Sequence, residues 1–244
     1  MLNHCGLFGA AICSASIAHD SSLISPPAFG TVVFDIDSTL SGIEGIDWLA
    51  ARRSPDVALA VLELTARAMD GSLAVEQVYA GRLELVRPSQ KEINALMHAY
   101  IDNTAPGVPG LLDQLRRAGV RVIAVSGGLR EACVPFCATL GFAAADVHAV
   151  PMRFSTDGSY EGFDTASPLT RKNGKPALVR ALALPRPLLA MGDGITDLEI
   201  KTAGEADVFA AFAGFVRRPV ICAQADHIVT SMTDVLPLVF PLIQ

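Results

Sequence analysis

The strongest constraint on the fold is a set of three short apolar runs, each of which ends in a polar or glycine-rich turn. They are TVVFDID (31–37), VRVIAVS (120–126) and PLLAMGD (187–193). Runs of this length, rich in β-branched residues, are typical of buried strands. Two shorter runs, DVFAAFA (207–213) and DHIVT (226–230), predict further strands. Because helical patterns alternate with these runs, the sequence predicts a parallel sheet flanked by helices.

The stretch 44–104 differs from the rest of the chain, because its apolar residues recur with helical spacing and no strand pattern interrupts them. We therefore predict a helical module, 44–104, inserted after the first strand of an α/β core that comprises 31–43 and 105–244. Within the core, Asp157-Gly158 lies between extended, alternating flanks and predicts a β-hairpin.

Residues 1–30 carry no pattern that assigns them to the core. The segment LFGAAICSASIA (7–18) is apolar, but no Lys or Arg precedes it, as a signal peptide requires, and it is too short to span a bilayer. We expect a leader before the domain, or a start site placed too early. No other run resembles a transmembrane helix.

The composition excludes some classes of function. A net charge of −6 argues against a basic surface that binds nucleic acid. The five cysteines are an odd number in a long chain and imply no disulfide framework, which favours a reducing cytoplasm.

Three polar motifs follow the predicted long strands: DIDST, SGG and GDGITD. Ligands of an open α/β sheet bind beyond the carboxyl ends of its strands, so these motifs should converge. Together they bring four aspartates, a serine hydroxyl and glycine-flanked backbone amides. Carboxylate oxygens suit Mg²⁺, and such a cation would let Asp35 and Asp193 stay ionised side by side.

The SGG motif predicts an anion site. Ser126 offers a hydroxyl, Gly127 and Gly128 allow close approach to backbone N–H groups, and a helix should begin just behind them. Lys175, in NGKP before another predicted helix, adds a positive charge. Carboxylates, a hard cation, backbone amides and a lysine together indicate phosphoryl transfer, in which an aspartate can act as the nucleophile.

In this order, DIDST, SGG, a lone lysine and GDGITD resemble the haloacid-dehalogenase (HAD) superfamily of aspartate-nucleophile phosphatases. The resemblance extends to its phosphoserine phosphatase family and covers about residues 31 to 235. It rests on the segments DSTLSGIEGIDWLA, ARAMDG, GRLELVRPS, RVIAVSGGLRE, DGSYEGFD and MGDGITDLE. The family likeness implies a Rossmann-like HAD core, with the helical insert as a cap that closes over the substrate.

The resemblance also implies roles for the aspartates. Asp35 would be the nucleophile and a Mg²⁺ ligand. Asp37 would be the general acid/base and a metal ligand through its backbone carbonyl. Asp193 would be the third ligand, and Asp197 would support the metal's water shell or the lysine.

The phosphate would be held by Ser126 and Gly127, while Lys175 would neutralise the phosphoryl oxygens and the nucleophile. Lys172, three residues earlier, is the alternative lysine. Thr39, next to the two aspartates of DIDST, is predicted to fix that loop through hydrogen bonds.

Cap residues would recognise the amino-acid part of the substrate. By family position, Glu44 would meet the ammonium and Arg82 the carboxylate, for which a guanidinium is well shaped. Met69 would pack against the closed pocket. Val75 stands where the family usually has Phe, which leaves the substrate range open.

One basic residue of the core completes the implied site. Arg217 matches a basic position near the family's active site, and Arg218 beside it is the alternative.

The sequence therefore predicts a Mg²⁺-dependent phosphatase that hydrolyses O-phosphoserine through an aspartyl-phosphate, as in serine biosynthesis, and acts as a monomer or homodimer without nucleic-acid or membrane partners. A phosphatase or phosphotransferase for another small phosphomonoester is the first alternative. A catalytically silent sensor of a phosphorylated metabolite is the second.

Overall fold

The structure is a computed structural model that describes residues 26–69 and 73–241. Most of the predicted leader, residues 1–30, lies outside the described residues. The described part contains eight strands, which in chain order are β1 Thr31–Phe34, β2 Arg121–Leu129, β3 Val147–Val150, β4 Met152–Phe154, β5 Tyr160–Phe163, β6 Leu188–Gly192, β7 Val208–Phe212 and β8 His227–Val229.

Six of these strands form one sheet in the order β3-β2-β1-β6-β7-β8, and every neighbouring pair is parallel. All four residues of the central strand β1 are buried. Val32 and Phe34 pack into the core on one face of the sheet, and Val33 packs into the core on the other. A strand covered on both faces reads as a continuous apolar run, which is the pattern that identified it. The predicted parallel α/β fold is confirmed.

The α-helices of the described residues begin and end as follows: α1 Gly45–Ala50, α2 Pro55–Met69, α3 Val75–Val86, α4 Gln90–Asp102, α5 Val108–Arg117, α6 Arg130–Thr139, α7 Gly174–Leu182, α8 Ile195–Thr202, α9 Pro219–Cys222 and α10 Leu236–Val239. Short 3₁₀ segments occupy Ala144–Asp146, Pro168–Thr170 and Met232–Val235. Among the described residues, no helix is long and apolar enough to cross a membrane.

The insert after β1 consists of α1 to α4, as its helical spacing predicted. A capping box begins α4: the Ser89 hydroxyl accepts from the Glu92 N–H, and the Glu92 carboxylate accepts from the Ser89 N–H. The other end of α4 packs onto the core, where the ring of Tyr100 stacks on Phe136 of α6 with centroids 5.4 Å apart. The insert is therefore joined to the core by buried contacts as well as by the chain.

The segment after α6 differs from the prediction in one respect. The hairpin at Asp157-Gly158 is confirmed, and β4 and β5 are its antiparallel strands. Residues 147–150 precede the hairpin and form β3, which pairs in parallel with β2 at the edge of the main sheet. The sequence signal of β3 was hidden because its extended pattern runs directly into that of the hairpin.

Candidate active site

A buried lysine lies between two aspartates at the carboxyl end of the sheet. Lys175 Nζ is 2.8 Å from Asp35 Oδ1 and 2.7 Å from Asp197 Oδ1, and each of the three residues is less than a tenth exposed. Burial alone would lower the pKa of Lys175, but the charges of Asp197 and Asp35 outweigh it and raise that pKa. The ammonium therefore stays charged at neutral pH.

Lys175 reaches this position from the first turn of α7, which begins earlier than the sequence predicted. The helix begins at Gly174, so Lys175 lies inside its first turn rather than before it. A Cβ atom at residue 174 would overlap the carbonyl oxygen of Pro168, so this start of the helix requires glycine. The alternative lysine, Lys172, is exposed.

Three carboxylates in this region could share a cation. One oxygen each from Asp35, Asp193 and Asp197 lies within 4.8 Å of the others, and all three residues are buried. Burial and the charge of Asp35 raise the pKa of Asp193 to about 6 and that of Asp197 to about 7. Burial is the larger cause of both raised values, and the charge of Asp35 is the next. A buried, oxygen-only donor set of this kind fits a hard divalent cation.

The carboxylate of Asp37 points to a different set of partners. Its Oδ1 accepts hydrogen bonds from the Gly45 N–H and the Tyr100 hydroxyl, each at 2.7 Å. Its Oδ2 accepts from the Ser126 hydroxyl at 3.0 Å, and Ser126 in turn accepts from the Gly128 N–H at 2.9 Å. Burial, then the charge of Asp35, raises the pKa of Asp37. A carboxyl with a raised pKa is suited to carry a proton.

Thr39 holds its loop through the backbone and not through its side chain. Its N–H donates to the Ile36 carbonyl at 3.2 Å, whereas its buried Oγ1 has no hydrogen-bond partner. The hydrogen bond that Thr39 contributes to this loop is therefore one from its backbone N–H. Thr39 directly follows Ser38, and the positive φ of Ser38, 50°, marks a tight turn in this loop.

Glu44 begins the insert and faces the core. Its Oε1 accepts from the Ser38 hydroxyl at 2.7 Å and lies 3.7 Å from a guanidinium nitrogen of Arg218. Burial, followed by the charges of Asp37 and Asp193, raises the pKa of Glu44 to about 8. Glu44 is thus a partly buried carboxyl group among other acidic side chains.

Arg218 lies where a basic residue was predicted, but one position later than Arg217. Its guanidinium donates to Asp193 Oδ2 at 2.9 Å, and Arg217 is exposed. Arg218, the alternative that the sequence left open, is therefore the one of the two that contacts the acidic cluster. The two residues lie in an irregular loop before α9, where the sequence has no periodicity to fix which side chain turns inward.

Arg82 lies in α3 and contacts Asp47 of α1. Its guanidinium Nη2 is 2.5 Å from Asp47 Oδ1, while its buried Nε has no hydrogen-bond partner. Met69 and Val75 belong to α2 and α3, and their side chains lie outside the described part of the structure.

Comparison with known proteins agrees with this geometry. The model of the family described as haloacid dehalogenase-like hydrolase matches residues 32–200. The chain is 35% identical over 201 residues to the chloroplastic phosphoserine phosphatase of Arabidopsis thaliana, covering 81% of this chain and 68% of that one. It is 33% identical over 208 residues to the phosphoserine phosphatase of Mus musculus, covering 84% and 91%. The chain belongs to the phosphoserine phosphatase family of HAD-like hydrolases.

Solved structures share the HAD fold of this family. A phosphoserine phosphohydrolase-like protein from Francisella tularensis superposes with a TM-score of 0.77 at 22% identity, over 85% of this chain and 98% of that one. A phospho-aspartyl intermediate analogue of phosphoserine phosphatase gives a TM-score of 0.70 at 24% identity, over 86% and 98%.

The sequence did not identify three residues with contacts in this HAD-family site, namely Ser38, Gly45 and Tyr100. It named a fourth, Arg218, only as the alternative to Arg217. Helical spacing in α4 places Tyr100 on the buried side, but it gives no sign that its hydroxyl meets Asp37. Gly45 adjoins Glu44, and its role depends on a backbone N–H, which every residue except proline carries.

Proposed function

We propose that this chain is a Mg²⁺-dependent phosphoserine phosphatase, which hydrolyses O-phosphoserine to serine and phosphate. The observation that carries the proposal is the separation of two neighbouring aspartates into different environments. Asp35 lies against Lys175, and Asp37 lies against Ser126 and Tyr100. A carboxylate beside a lysine and a carboxyl with a raised pKa are the pair that a nucleophile and a general acid require.

In the proposed reaction, an Asp35 oxygen attacks phosphorus while the bond from phosphorus to the serine oxygen breaks. Asp37 gives its proton to the departing serine oxygen. Water then attacks phosphorus and the bond from phosphorus to the Asp35 oxygen breaks, while Asp37 takes a proton from the water. Asp35 is thereby restored as a carboxylate and Asp37 as the protonated acid. Lys175 neutralises charge on Asp35 and on the phosphoryl oxygens throughout.

The Asp35, Asp193 and Asp197 carboxylates, with the backbone carbonyl of Asp37, are the proposed surroundings of Mg²⁺. When bound, this ion supplies positive charge that offsets the charge of the phosphoryl oxygens. The support on this chain is its buried oxygen-only cluster, in which burial and the charge of Asp35 raise the pKa of Asp193 and of Asp197.

The proposed substrate carries a carboxylate and an ammonium as well as its phosphate. Arg82 has a buried donor, Nε, without a partner, which suits the carboxylate. Burial, followed by the charges of neighbouring acidic groups, raises the pKa of Glu44, and the substrate ammonium would offset those charges. We propose these two residues as the amino-acid contacts, with Ser126 and Gly127 at the phosphate.

Release of inorganic phosphate from a panel of phosphomonoesters with Mg²⁺ tests this function. O-phosphoserine should give a higher kcat/KM than a generic aryl phosphate, EDTA should abolish turnover, and Asp35→Asn should be inactive. A generic aryl phosphate hydrolysed as efficiently as phosphoserine would refute the substrate. Full activity of Asp35→Asn would refute the covalent mechanism, and transfer of phosphate to an added alcohol in preference to water would indicate a phosphotransferase.

We also propose a cytoplasmic enzyme, because Cys133, Cys137 and Cys222 are free, buried thiols that suit a reducing compartment.

A further inference from the structure

The two oxygens of the Asp37 carboxylate are held unequally. Oδ1 accepts two hydrogen bonds of 2.7 Å, one from the Gly45 N–H and one from the Tyr100 hydroxyl. Oδ2 accepts one longer hydrogen bond, of 3.0 Å, from Ser126. An oxygen that already accepts two short hydrogen bonds is a poor place for a proton. The proton that the proposed reaction requires on Asp37 therefore belongs on Oδ2.

Oδ2 also faces the part of the site where the phosphate is proposed to lie. Besides its contact with Ser126, it lies 2.8 Å from the position that a Cβ atom would take at Gly128. Ser126 and Gly128 belong to the SGG motif. The hydrogen bonds on Oδ1 thus turn the other oxygen toward the leaving group.

Tyr100 is firmly placed for this contact. It is fully buried, its ring stacks on Phe136, and its backbone carbonyl accepts from the Ser41 hydroxyl at 3.1 Å. A tyrosine hydroxyl has a pKa near 10 in water, so at neutral pH it carries a proton to donate. The space around it is closed as well, since a Cβ atom at Gly45 would collide with the Tyr100 hydroxyl.

We propose that Tyr100 is a positioning residue for the general acid: it holds Oδ1 of Asp37 so that Oδ2 delivers the proton to the departing serine oxygen. This inference rests on the proposed function. In the step concerned, the electron pair of the P–O bond passes to the serine oxygen, and the Oδ2 proton forms the new O–H bond. Tyr100 keeps its own proton throughout.

The test compares two leaving groups in the Tyr100→Phe variant, which keeps the stacked ring and removes only the hydroxyl. The serine alkoxide needs protonation as it leaves, whereas p-nitrophenolate is stable as an anion at neutral pH. We expect kcat/KM for O-phosphoserine to fall about 10- to 100-fold, and that for p-nitrophenyl phosphate by less than about threefold. Because kcat/KM covers only steps through release of the leaving group, slow hydrolysis of the aspartyl-phosphate does not mask this difference.

Two further variants calibrate the comparison. Asp37→Asn should show the same selectivity with a larger loss. Tyr160→Phe is the matched control, because it removes the hydroxyl of another buried tyrosine that has no hydrogen-bond partner. We expect both of its kcat/KM values to match those of the wild type.

The ratio of the two kcat/KM values is immune to partial unfolding, since inactive protein lowers both equally. Equal losses for the two substrates, or no loss for either, would overturn the role of Tyr100 while leaving the proposed function intact. A wild-type enzyme that does not hydrolyse phosphoserine would instead refute the proposed function. If Tyr100→Phe yields no folded protein, Gly45→Ala displaces the same hydroxyl and should give the same selective loss; an equal loss on both substrates would again overturn the inference.

Discussion

Lys175 and Asp35 form a buried ion pair, with Nζ 2.8 Å from Oδ1 and both side chains less than a tenth exposed. Such a pair gains little net stability, because removing two charges from water offsets their attraction. Its value lies in the charge it keeps beside the proposed nucleophile, and it can therefore be tested through catalysis.

Lys175→Met should lower kcat for phosphoserine by about 10²- to 10³-fold, the loss typical when a group that stabilises transition-state charge is removed. Steady-state kinetics at saturating Mg²⁺ measures this change. Lys172→Met is the control and should keep wild-type kcat, because Lys172 is exposed. A loss of kcat in Lys172→Met, with kcat unchanged in Lys175→Met, would assign the catalytic charge to Lys172.

Arg218→Ala should raise KM for phosphoserine about tenfold, which corresponds to about 1.4 kcal/mol. The reason is that Arg218 contacts both Asp193 and Glu44, so its loss leaves more negative charge where a dianionic phosphate must bind. Arg217→Ala should stay within about twofold of wild type, since Arg217 is exposed and its change should be a surface effect. A larger effect of Arg217→Ala would assign the role to Arg217 instead.

Adding Mg²⁺ to metal-free protein should raise its Tm, because a cation relieves the repulsion among Asp35, Asp193 and Asp197. Binding at a hundredfold excess over Kd stabilises the fold by about 2.7 kcal/mol. Differential scanning fluorimetry measures the shift without any turnover. Asp193→Asn should abolish the shift, and Asp113→Asn, which alters an exposed ion pair with Arg117, should retain it. A shift that survives Asp193→Asn would place the cation elsewhere.

Glu92→Gln should lower the free energy of unfolding at pH 7 by about 1–2 kcal/mol, since it breaks the capping box of α4 and the ion pair with Arg53. Its hydrogen bonds, first that from Arg53, lower the pKa of Glu92 from 4.5 to about 2. Ionised Glu92 therefore stabilises the fold above pH 4.5, and this contribution is lost as the pH falls through about 2.

Urea denaturation at pH 7, 4 and 3 should show the gap between wild type and Glu92→Gln narrowing toward low pH. Glu84→Gln removes a more exposed partner, that of Arg87, and should change stability little at any of these pH values. A gap that stays constant with pH would mean that the charge of Glu92 does not matter.

The strands and the residues at their ends could be predicted because the physics that shapes them is local. A run such as TVVF is buried on both faces of a sheet and is apolar throughout, and the aspartates beyond it mark where burial ends. The lysine could also be found, since it stands alone between two motifs. Its exact place in the first turn of α7 depended on a glycine packed against Pro168, which is a tertiary contact.

What could not be predicted depends on side chains that meet across the fold. Tyr100 is 63 residues from Asp37, and helical spacing identifies it as buried without naming its partner. Arg218 and Arg217 differ by one position in a loop, where no period separates an inward from an outward side chain. Nothing in the sequence around Ser38 indicates that its hydroxyl donates a hydrogen bond to Glu44.

The packing of α4 on the core distinguishes this helix from α2 and α3 of the insert. Its Tyr100 stacks on a core helix and donates a hydrogen bond to the carboxylate of Asp37, so α4 cannot move away from the core without breaking both contacts. We therefore expect any opening of the proposed cap to move α2 and α3 while α4 stays on the core. On this expectation the last helix of the insert, α4, behaves as part of the core, and only the helices before it move.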